Sequence, residues 1–288
     1  MTEPAASALL ICLVIAGLAA AAAWLLSLAT RDYSWVDRAW SILPAVYLWI
    51  FALAADPPDA RLLVLAALGT LWGVRLTLNF ARKGGYRPGG EDYRWAELRR
   101  RMSPRRFAVV NLVFISVTQN LLLLMIALPG WIVLQHPGRF GLPELAATAL
   151  FLAFLAGESV ADQQQWRFQQ ERRRLAAQGA ADPGFLRSGL FRFSRHPNYF
   201  FEIAQWWTVA VFGALAAGTL LQPGTLGAVL LTLLFVGSIA LTESISVARH
   251  PGYAGYRREV WPLVPWFPRR PADIRVPGAE DPFRPDAP

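Results

Sequence analysis

The chain has 288 residues, of which 55% are hydrophobic and 17% charged, and its net charge is +8. This composition is too apolar for an ordinary soluble domain and is typical of a multi-span membrane protein. The single cysteine, Cys12, excludes a disulfide within the chain, and three histidines without helical spacing predict no metal site. The basic residues lie in loops between apolar segments, which indicates membrane topology and anionic ligands and not nucleic acid.

Seven apolar segments approach the roughly 20 residues that a helix needs to cross a bilayer. The predicted spans, in chain order, cover residues 5–28, 40–55, 62–80, 107–134, 142–161, 199–221 and 226–246. The first lacks a basic start and a cleavage site, so we expect a retained span and not a signal peptide. We therefore predict an all-α protein with one transmembrane domain over residues 1–268. A Pro-rich cytoplasmic tail is predicted over residues 269–288.

Lysine and arginine are distributed unequally between the two sets of loops. Of the 28 basic residues, 25 lie on one side and two, Arg61 and Arg139, on the other, with Arg75 inside the third span. Because basic loops stay in the cytoplasm, the N-terminus is predicted outside and the C-terminus in the cytoplasm.

Four predicted spans carry polar side chains at helical spacing near their cytoplasmic ends. These polar stripes are Arg75, Asn79 and Arg82; Glu158 and Asp162; Asn198, Glu202 and Gln205; and Glu243 with Arg249 and His250. Polar groups inside a bilayer usually face a partner, a cavity or a ligand. We expect the stripes to converge on one cavity that opens to the cytoplasm, although a clasp of hydrogen bonds between helices is the alternative.

Above this cavity we predict an apolar chamber for a lipid-like substrate. Its predicted lining includes Trp35, Trp40, Trp72 and Phe114. In the fourth span Gln119 and Asn120 lie deeper, and they either pack between helices or line the chamber.

A pentapeptide pattern occurs at both ends of the last two spans. Arg195-His-Pro-Asn-Tyr199 is echoed by Arg249-His-Pro-Gly-Tyr253. Proline suits the first turn of a helix, so each motif predicts a helix start whose free N–H groups bind an anion beside Arg and His. Chance repetition is the alternative.

Several longer stretches resemble the signature of the steroid 5α-reductase-like membrane proteins, and most closely their bacterial DUF1295 branch. They are Gly189-Leu-Phe-Arg-Phe-Ser-Arg-His-Pro-Asn-Tyr-Phe-Phe-Glu-Ile203 with Trp206-Trp207, Pro251-Gly-Tyr-Ala-Gly-Tyr256, Pro262-Leu-Val-Pro-Trp-Phe-Pro268, Ser34-Trp-Val-Asp-Arg-Ala-Trp40 and Asp92-Tyr-Arg-Trp95. The resemblance implies seven transmembrane helices in a bacterial-type inner membrane and NADPH bound from the cytoplasm. It also implies reduction of a C=C bond conjugated to a carbonyl in a sterol-like or other lipid.

The resemblance also implies roles for individual residues. Asn198 and Glu202 match an Asn and a Glu near the nicotinamide, Asp162 matches an Asp that holds the cofactor, and Arg75 matches an Arg near its phosphates. Further cofactor contacts are expected from Arg82, Arg94, Arg195, His196, Arg249, His250 and Tyr253. The catalytic candidates are Glu202 and, as a proton donor, Asp37.

Two departures from the family pattern bear on the substrate. Phe201 stands where the family has a Gly before the Glu, and Trp72 stands at the position of a substrate-polarising Tyr. An indole cannot donate a proton as a phenol can, which favours an enone or lipid other than a 3-ketosteroid.

Two other functions fit the sequence. The Arg-His-Pro-x-Tyr element is shared with isoprenylcysteine carboxyl methyltransferase-like proteins, which use S-adenosylmethionine, but the pair Asn198 and Glu202 favours a reductase. A non-enzymatic lipid-binding or transport protein is the third possibility. Polar stripes that stop at one depth disfavour a pathway through the membrane.

Overall fold

The structure is a computed structural model, and it describes residues 2–87 and 89–269. The chain is all-helical, with 76% of residues in helices and no strand in the described ranges. The predicted tail lies outside the described residues from residue 270 onward. The helices in chain order are α1 (Glu3–Thr30), α2 (Trp35–Trp40), α3 (Leu43–Leu53), α4 (Ala60–Arg82), α5 (Tyr93–Arg101), α6 (Pro104–Val109), a π-helix (Val110–Thr118), α7 (Gln119–Gln135), α8 (Leu142–Ala177), a 3-10 turn (Gly189–Arg192), α9 (Pro197–Ala217), α10 (Pro223–Arg249) and α11 (Tyr253–Glu259).

Within residues 2–87 and 89–269, seven helical segments are long and apolar enough to cross a membrane, which confirms the predicted number of spans. The second span combines α2 and α3, and the fourth combines α6, the π-helix and α7. Large apolar side chains on the outer faces are exposed, for example those of Leu18, Leu53, Leu78 and Leu233. The protein is therefore embedded in a membrane and contacts its lipids.

The fifth span is much longer than its apolar segment. Helix α8 has 36 residues, and its second half is rich in Gln, Glu, Arg and Ala, which favour helix. At 1.5 Å per residue it is about 54 Å long, whereas a hydrocarbon core is about 30 Å thick. The helix therefore projects beyond the bilayer, where its polar residues are hydrated.

The two Arg-His-Pro motifs have different structures. Pro197 begins α9, as predicted. Pro251 does not begin a helix, because α11 starts at Tyr253 after a turn, and α11 has only seven residues. The prediction of a second helix start at this proline is therefore wrong.

Glycines bring the central helices close together. A Cβ atom on Gly224 of α10 would lie 2.5 Å from Cγ of Pro129 in α7, and one on Gly227 would lie 2.3 Å from the Met125 carbonyl oxygen. Between α8 and α9, the ring of Phe201 occupies the space beside Gly157, where a Cβ would lie 2.6 Å from ring atom Cζ. Phe201 of α9 thus packs on a Gly of the neighbouring helix α8.

The four residues predicted to line the apolar chamber lie in different surroundings. Trp72 is buried in the core, and Trp35 and Trp40 pack against a smaller cluster that contains Val36. Phe114 is 37% exposed on the outside of the π-helix, so its place in the lining was wrong.

The orientation of the chain that its basic loops predict can be tested with single cysteines. In a Cys12→Ala background, we expect Arg139→Cys to react with a membrane-impermeant maleimide in intact cells. We expect Gln178→Cys to react only after the membrane is disrupted, because the basic loops stay in the cytoplasm. Labelling of the Gln178→Cys variant in intact cells would show that the chain has the opposite orientation.

Candidate functional site

The guanidinium of Arg75 binds three carboxylates inside the helix bundle. Its Nη1 atom lies 2.6 Å from Oδ2 of Asp162 and 2.8 Å from Oε1 of Glu158, and its Nη2 atom lies 2.9 Å from Oε2 of Glu202. All three acids are buried. Helix α4 supplies the cation, α8 two of the acids and α9 the third, so this Arg75 cluster joins three spans.

The second oxygen of Glu202 is held by two indoles. Nε1 of Trp72 donates to Oε1 of Glu202 at 2.9 Å, and Nε1 of Trp206 donates to the same oxygen at 3.4 Å. The two rings meet edge to face with centroids 4.8 Å apart. Gln205 donates from Nε2 to Oε2 of Glu158 at 2.6 Å. Glu202 is therefore fixed in position through both carboxylate oxygens.

Helical spacing explains why these groups meet. Residues three or four apart lie on one face of a helix. Each helix of the cluster has one such pair: Trp72 and Arg75 on α4, Glu158 and Asp162 on α8, and Glu202 and Trp206 on α9. The tight contact of Gly157 with Phe201 then brings the polar faces of α8 and α9 together. Local sequence thus sets each polar face, and close helix packing joins them.

The cluster contains more acidic side chains than cations. Three carboxylates face one guanidinium, and the nearest further cation is Nζ of Lys83, 4.0 Å from Oδ1 of Asp162. The Lys83 side chain is 43% exposed, so water screens its charge. Burying acidic groups in excess of their cations is costly, and such groups cluster at functional sites as well as in structural ion-pair networks. The cluster is suited to a cationic or hydrogen-bond-donating ligand.

A second cluster holds the Arg-His-Pro motif of α9. Arg195 binds Glu243 of α10 through Nε at 2.6 Å, and its Nη1 donates to the carbonyls of Arg257 and Val260. Nε2 of His196 lies 3.2 Å from the same carboxylate. Backbone groups strengthen the joint, because the Arg195 N–H donates to the Trp261 carbonyl at 2.9 Å. This cluster ties the segment after α11 to α9 and α10.

The predicted proton donor lies in a third group of residues. Oδ2 of Asp37 accepts a hydrogen bond from Nε1 of Trp95 at 2.7 Å. Nearby, Arg94 pairs with Asp92 at 2.8 Å and donates to Oγ of Ser238 in α10 at 2.9 Å. Burial alone would raise the pKa of the Asp92 carboxyl, but the charge of Arg94, its side-chain and backbone hydrogen bonds and the charge of Lys83 together hold that pKa below its ordinary value.

The other predicted site residues are dispersed at the ends of the spans. Arg82 donates to Asn79 and Gln163 at 2.8–3.0 Å. Asn198 is half-buried one turn before Glu202, and its side chain makes no hydrogen bond with the described part of the chain. Arg249 is exposed, with its Cζ atom 6.0 Å from the centroid of the Tyr93 ring.

His250 and Tyr253 flank the ring of Phe185, with centroid distances of 6.1 and 4.9 Å. Burial raises the pKa of the Tyr253 phenol to about 12, so the phenol stays protonated at neutral pH. These two residues pack against the loop that follows α8.

The structure brings together only some of the residues that the sequence singled out. Arg75, Asp162 and Glu202 meet in one cluster, whereas the stripe of the seventh span forms a separate cluster around Glu243, which corrects the prediction of four converging stripes. The sequence places Glu158 in a polar stripe with Asp162, four residues away, but assigns it no role of its own, and the structure adds it to the cluster.

A family model described as "Protein of unknown function (DUF1295)" matches residues 23–260. An uncharacterized protein of the fission yeast Schizosaccharomyces pombe is 34% identical over 258 residues, which cover 84% of this chain and 75% of the relative. No solved structure matches the chain at a significant level.

Loss of the central cation should destabilise the protein strongly. We expect Arg75→Gln to lower the free energy of unfolding by about 3–5 kcal/mol, because it removes the guanidinium that binds all three buried acids and leaves only the distant Lys83 near Asp162. Arg82→Gln is the matched control, since Arg82 lies two turns along the same helix and binds the neutral amides of Asn79 and Gln163. Thermal unfolding in detergent measures both, and equal stability of the two variants would contradict the central role of Arg75.

Proposed function

The chain belongs to the DUF1295 family, whose function is unknown, and from the Arg75 cluster we propose that it is a membrane-embedded, NADPH-dependent reductase. The proposed reaction reduces a C=C bond conjugated to a carbonyl group in a sterol-like or other lipid. The observation that carries the proposal is the buried set of carboxylate, amide and indole groups that α4, α8 and α9 bring together. The resemblance to steroid 5α-reductase-like proteins supports it.

The Arg75 cluster fits the carboxamide of a nicotinamide and does not fit a phosphate. Its excess of carboxylates repels anions, accepts hydrogen bonds from an amide NH2 group and favours the positive charge of an oxidised nicotinamide ring. Two buried atoms, Oε1 of Gln205 and Nε of Arg75, have no partner among the described residues and offer a further acceptor and donor. We therefore assign Arg75 to the nicotinamide end, in place of the phosphate role that the resemblance implies.

The phosphates are assigned to basic residues at the ends of the spans. Arg82, Arg94 and Arg249 lie at or beyond these ends, and Lys83 follows α4 directly. Arg195 and His196 are already bound to Glu243, so we assign them the structural role of anchoring the segment after α11.

The residues have separate tasks in the proposed reaction. When bound, NADPH supplies a hydride for the β-carbon of the enone. Asn198 and Glu202, one turn apart on α9, orient the carboxamide, and correct orientation accounts for much of the rate of such a reaction. Negative charge then develops on the carbonyl oxygen of the lipid, and the α-carbon takes up a proton. Asp37 remains our candidate for the group that supplies this proton.

The charge of the cluster also favours one other enzymatic function. S-adenosylmethionine carries a sulfonium cation, which the three carboxylates would attract, so a membrane methyltransferase is the second candidate.

Localisation in a bacterial-type inner membrane stays a prediction, because one relative of the chain comes from a fission yeast.

The two enzymatic functions can be separated by cofactor binding. We expect NADPH to raise the thermal unfolding temperature of the purified protein in detergent, because a ligand that binds only the folded state stabilises it by mass action. NADH and S-adenosylmethionine are measured in parallel. A shift with S-adenosylmethionine alone would favour the methyltransferase, and no shift with any ligand would favour lipid binding or transport.

Glu202 is expected to be essential for turnover. We expect Glu202→Gln to keep the fold and to lower the rate of NADPH oxidation with an enone lipid by roughly 100-fold or more, because the carboxamide loses a charged hydrogen-bond acceptor. Glu171→Gln, which changes an exposed acid on α8, serves as the control. Wild-type turnover in the Glu202 variant would refute this role.

A further inference from the structure

The fourth span changes from an α-helix to a π-helix in the membrane, and this stretch has a buried polar face. π-Helices are rare and occur frequently at functional sites. Asn111, Ser116, Gln119 and Asn120 each expose 3% or less of their surface. The opposite side is exposed and apolar, with Val113 and other large side chains. We call the four buried residues, two in the π-helix and two in the first turn of α7, the π-helix polar face.

Each residue of this face has a buried atom without a hydrogen-bond partner among the described residues. The atoms are Oδ1 of Asn111, Oγ of Ser116, Nε2 of Gln119 and Oδ1 of Asn120. Two other amide groups are satisfied, because Nδ2 of Asn111 donates to Oγ of Ser27 and Nδ2 of Asn120 donates to the Ser116 carbonyl, both at 2.8 Å. Free polar atoms are costly in a bilayer, where no bulk water can bind them. Four of them within ten residues are available to bind a polar ligand or ordered water.

The face extends deeper into the membrane than the Arg75 cluster. Arg75 lies seven residues from the end of α4, or about 10 Å. Ser116 lies twelve residues from the start of the fourth span at Pro104, or roughly 18 Å at the rise of an α-helix. The end of α4 and the start of the fourth span at Pro104 are joined by one of the basic loops. A group bound at Ser116 is therefore farther from this loop than a group bound at Arg75.

Apolar and aromatic side chains adjoin the face. Ile115 points to the same buried side and packs in a cluster with Val36 and Trp95, with Trp40 at its border. Trp95 is the residue that binds Asp37. The surroundings of the face thus offer an apolar surface for a lipid and place the candidate proton donor next to that surface.

We propose that the π-helix polar face binds the uncharged carbonyl end of the lipid substrate, an inference that rests on the proposed reductase function. Nε2 of Gln119 and the hydroxyl of Ser116 can donate to a carbonyl oxygen, and the free oxygens of Asn111 and Asn120 can hold a bridging water. None of the four side chains is ionisable. The face therefore selects a neutral oxygen group and not a phosphate or a carboxylate.

The test compares an enone with the hydrocarbon of the same shape. The probes are cholest-4-en-3-one with cholest-4-ene, and a C18 methyl enone with a C18 alkene. The double variant Ser116→Ala/Gln119→Leu removes two free polar groups that make no hydrogen bond in the structure. Thr118→Val is the matched control, because it removes a hydroxyl from the exposed side of the same π-helix. Thermal unfolding in detergent is measured for the three proteins with each probe and, separately, with NADPH.

We expect at least one enone to raise the unfolding temperature of the wild type and of Thr118→Val by about 2 °C or more beyond its hydrocarbon. The double variant should lose this difference and bind the enone about tenfold more weakly. Without ligand it should be as stable as the wild type or more stable, because it loses no hydrogen bond.

Three results would overturn the inference: no difference between enone and hydrocarbon in the wild type, an unchanged difference in the double variant, or a less stable double variant without ligand. The shift with NADPH reports separately on the reductase function. An NADPH shift without an enone difference would leave the proposed function intact and reject only this site. A difference between enone and hydrocarbon without an NADPH shift would support the carbonyl site and reject the reductase function.

Discussion

The guanidinium of Arg75 is the group on which the centre of the bundle depends. It is bound to carboxylates from two other spans, and these carboxylates are buried. A buried charge that loses its partner destabilises a protein far more than a surface pair does, because no water replaces the lost interaction. The relative positions of α4, α8 and α9 are therefore linked to the integrity of this one cluster.

Close helix packing makes the cluster possible. Gly157 accepts the ring of Phe201, and glycines of α10 accept the backbone and ring atoms of α7. In a bilayer the hydrophobic effect does not drive helices together, so small residues and polar contacts do. The close approach of α8 and α9 at Gly157 thus lets acidic side chains of both helices reach Arg75 of α4.

The polar residues of the bundle are divided by function in our proposals. The Arg75 cluster is charged and receives the nicotinamide end of the cofactor, whereas the π-helix polar face is neutral and receives the carbonyl end of the lipid. The cluster around Glu243 connects the last two spans to the segment after α11. A charged and a neutral polar region at different depths can distinguish a water-soluble cofactor from a substrate dissolved in the membrane.

The sequence alone determined the helical class and the number of spans, because apolar length is a local property of the chain. It also determined the polar stripes and the start of α9 at Pro197, since helical spacing and proline chemistry are equally local. Tertiary structure decided which stripes meet. Glu158 binds Arg75, whereas Glu243 binds Arg195 and His196. Helix packing, which is not a local property of the sequence, determines which side chains on separate spans come into contact. Phe114 lies outside because a π-helix turns less per residue than an α-helix, and this changes which side chains face inward.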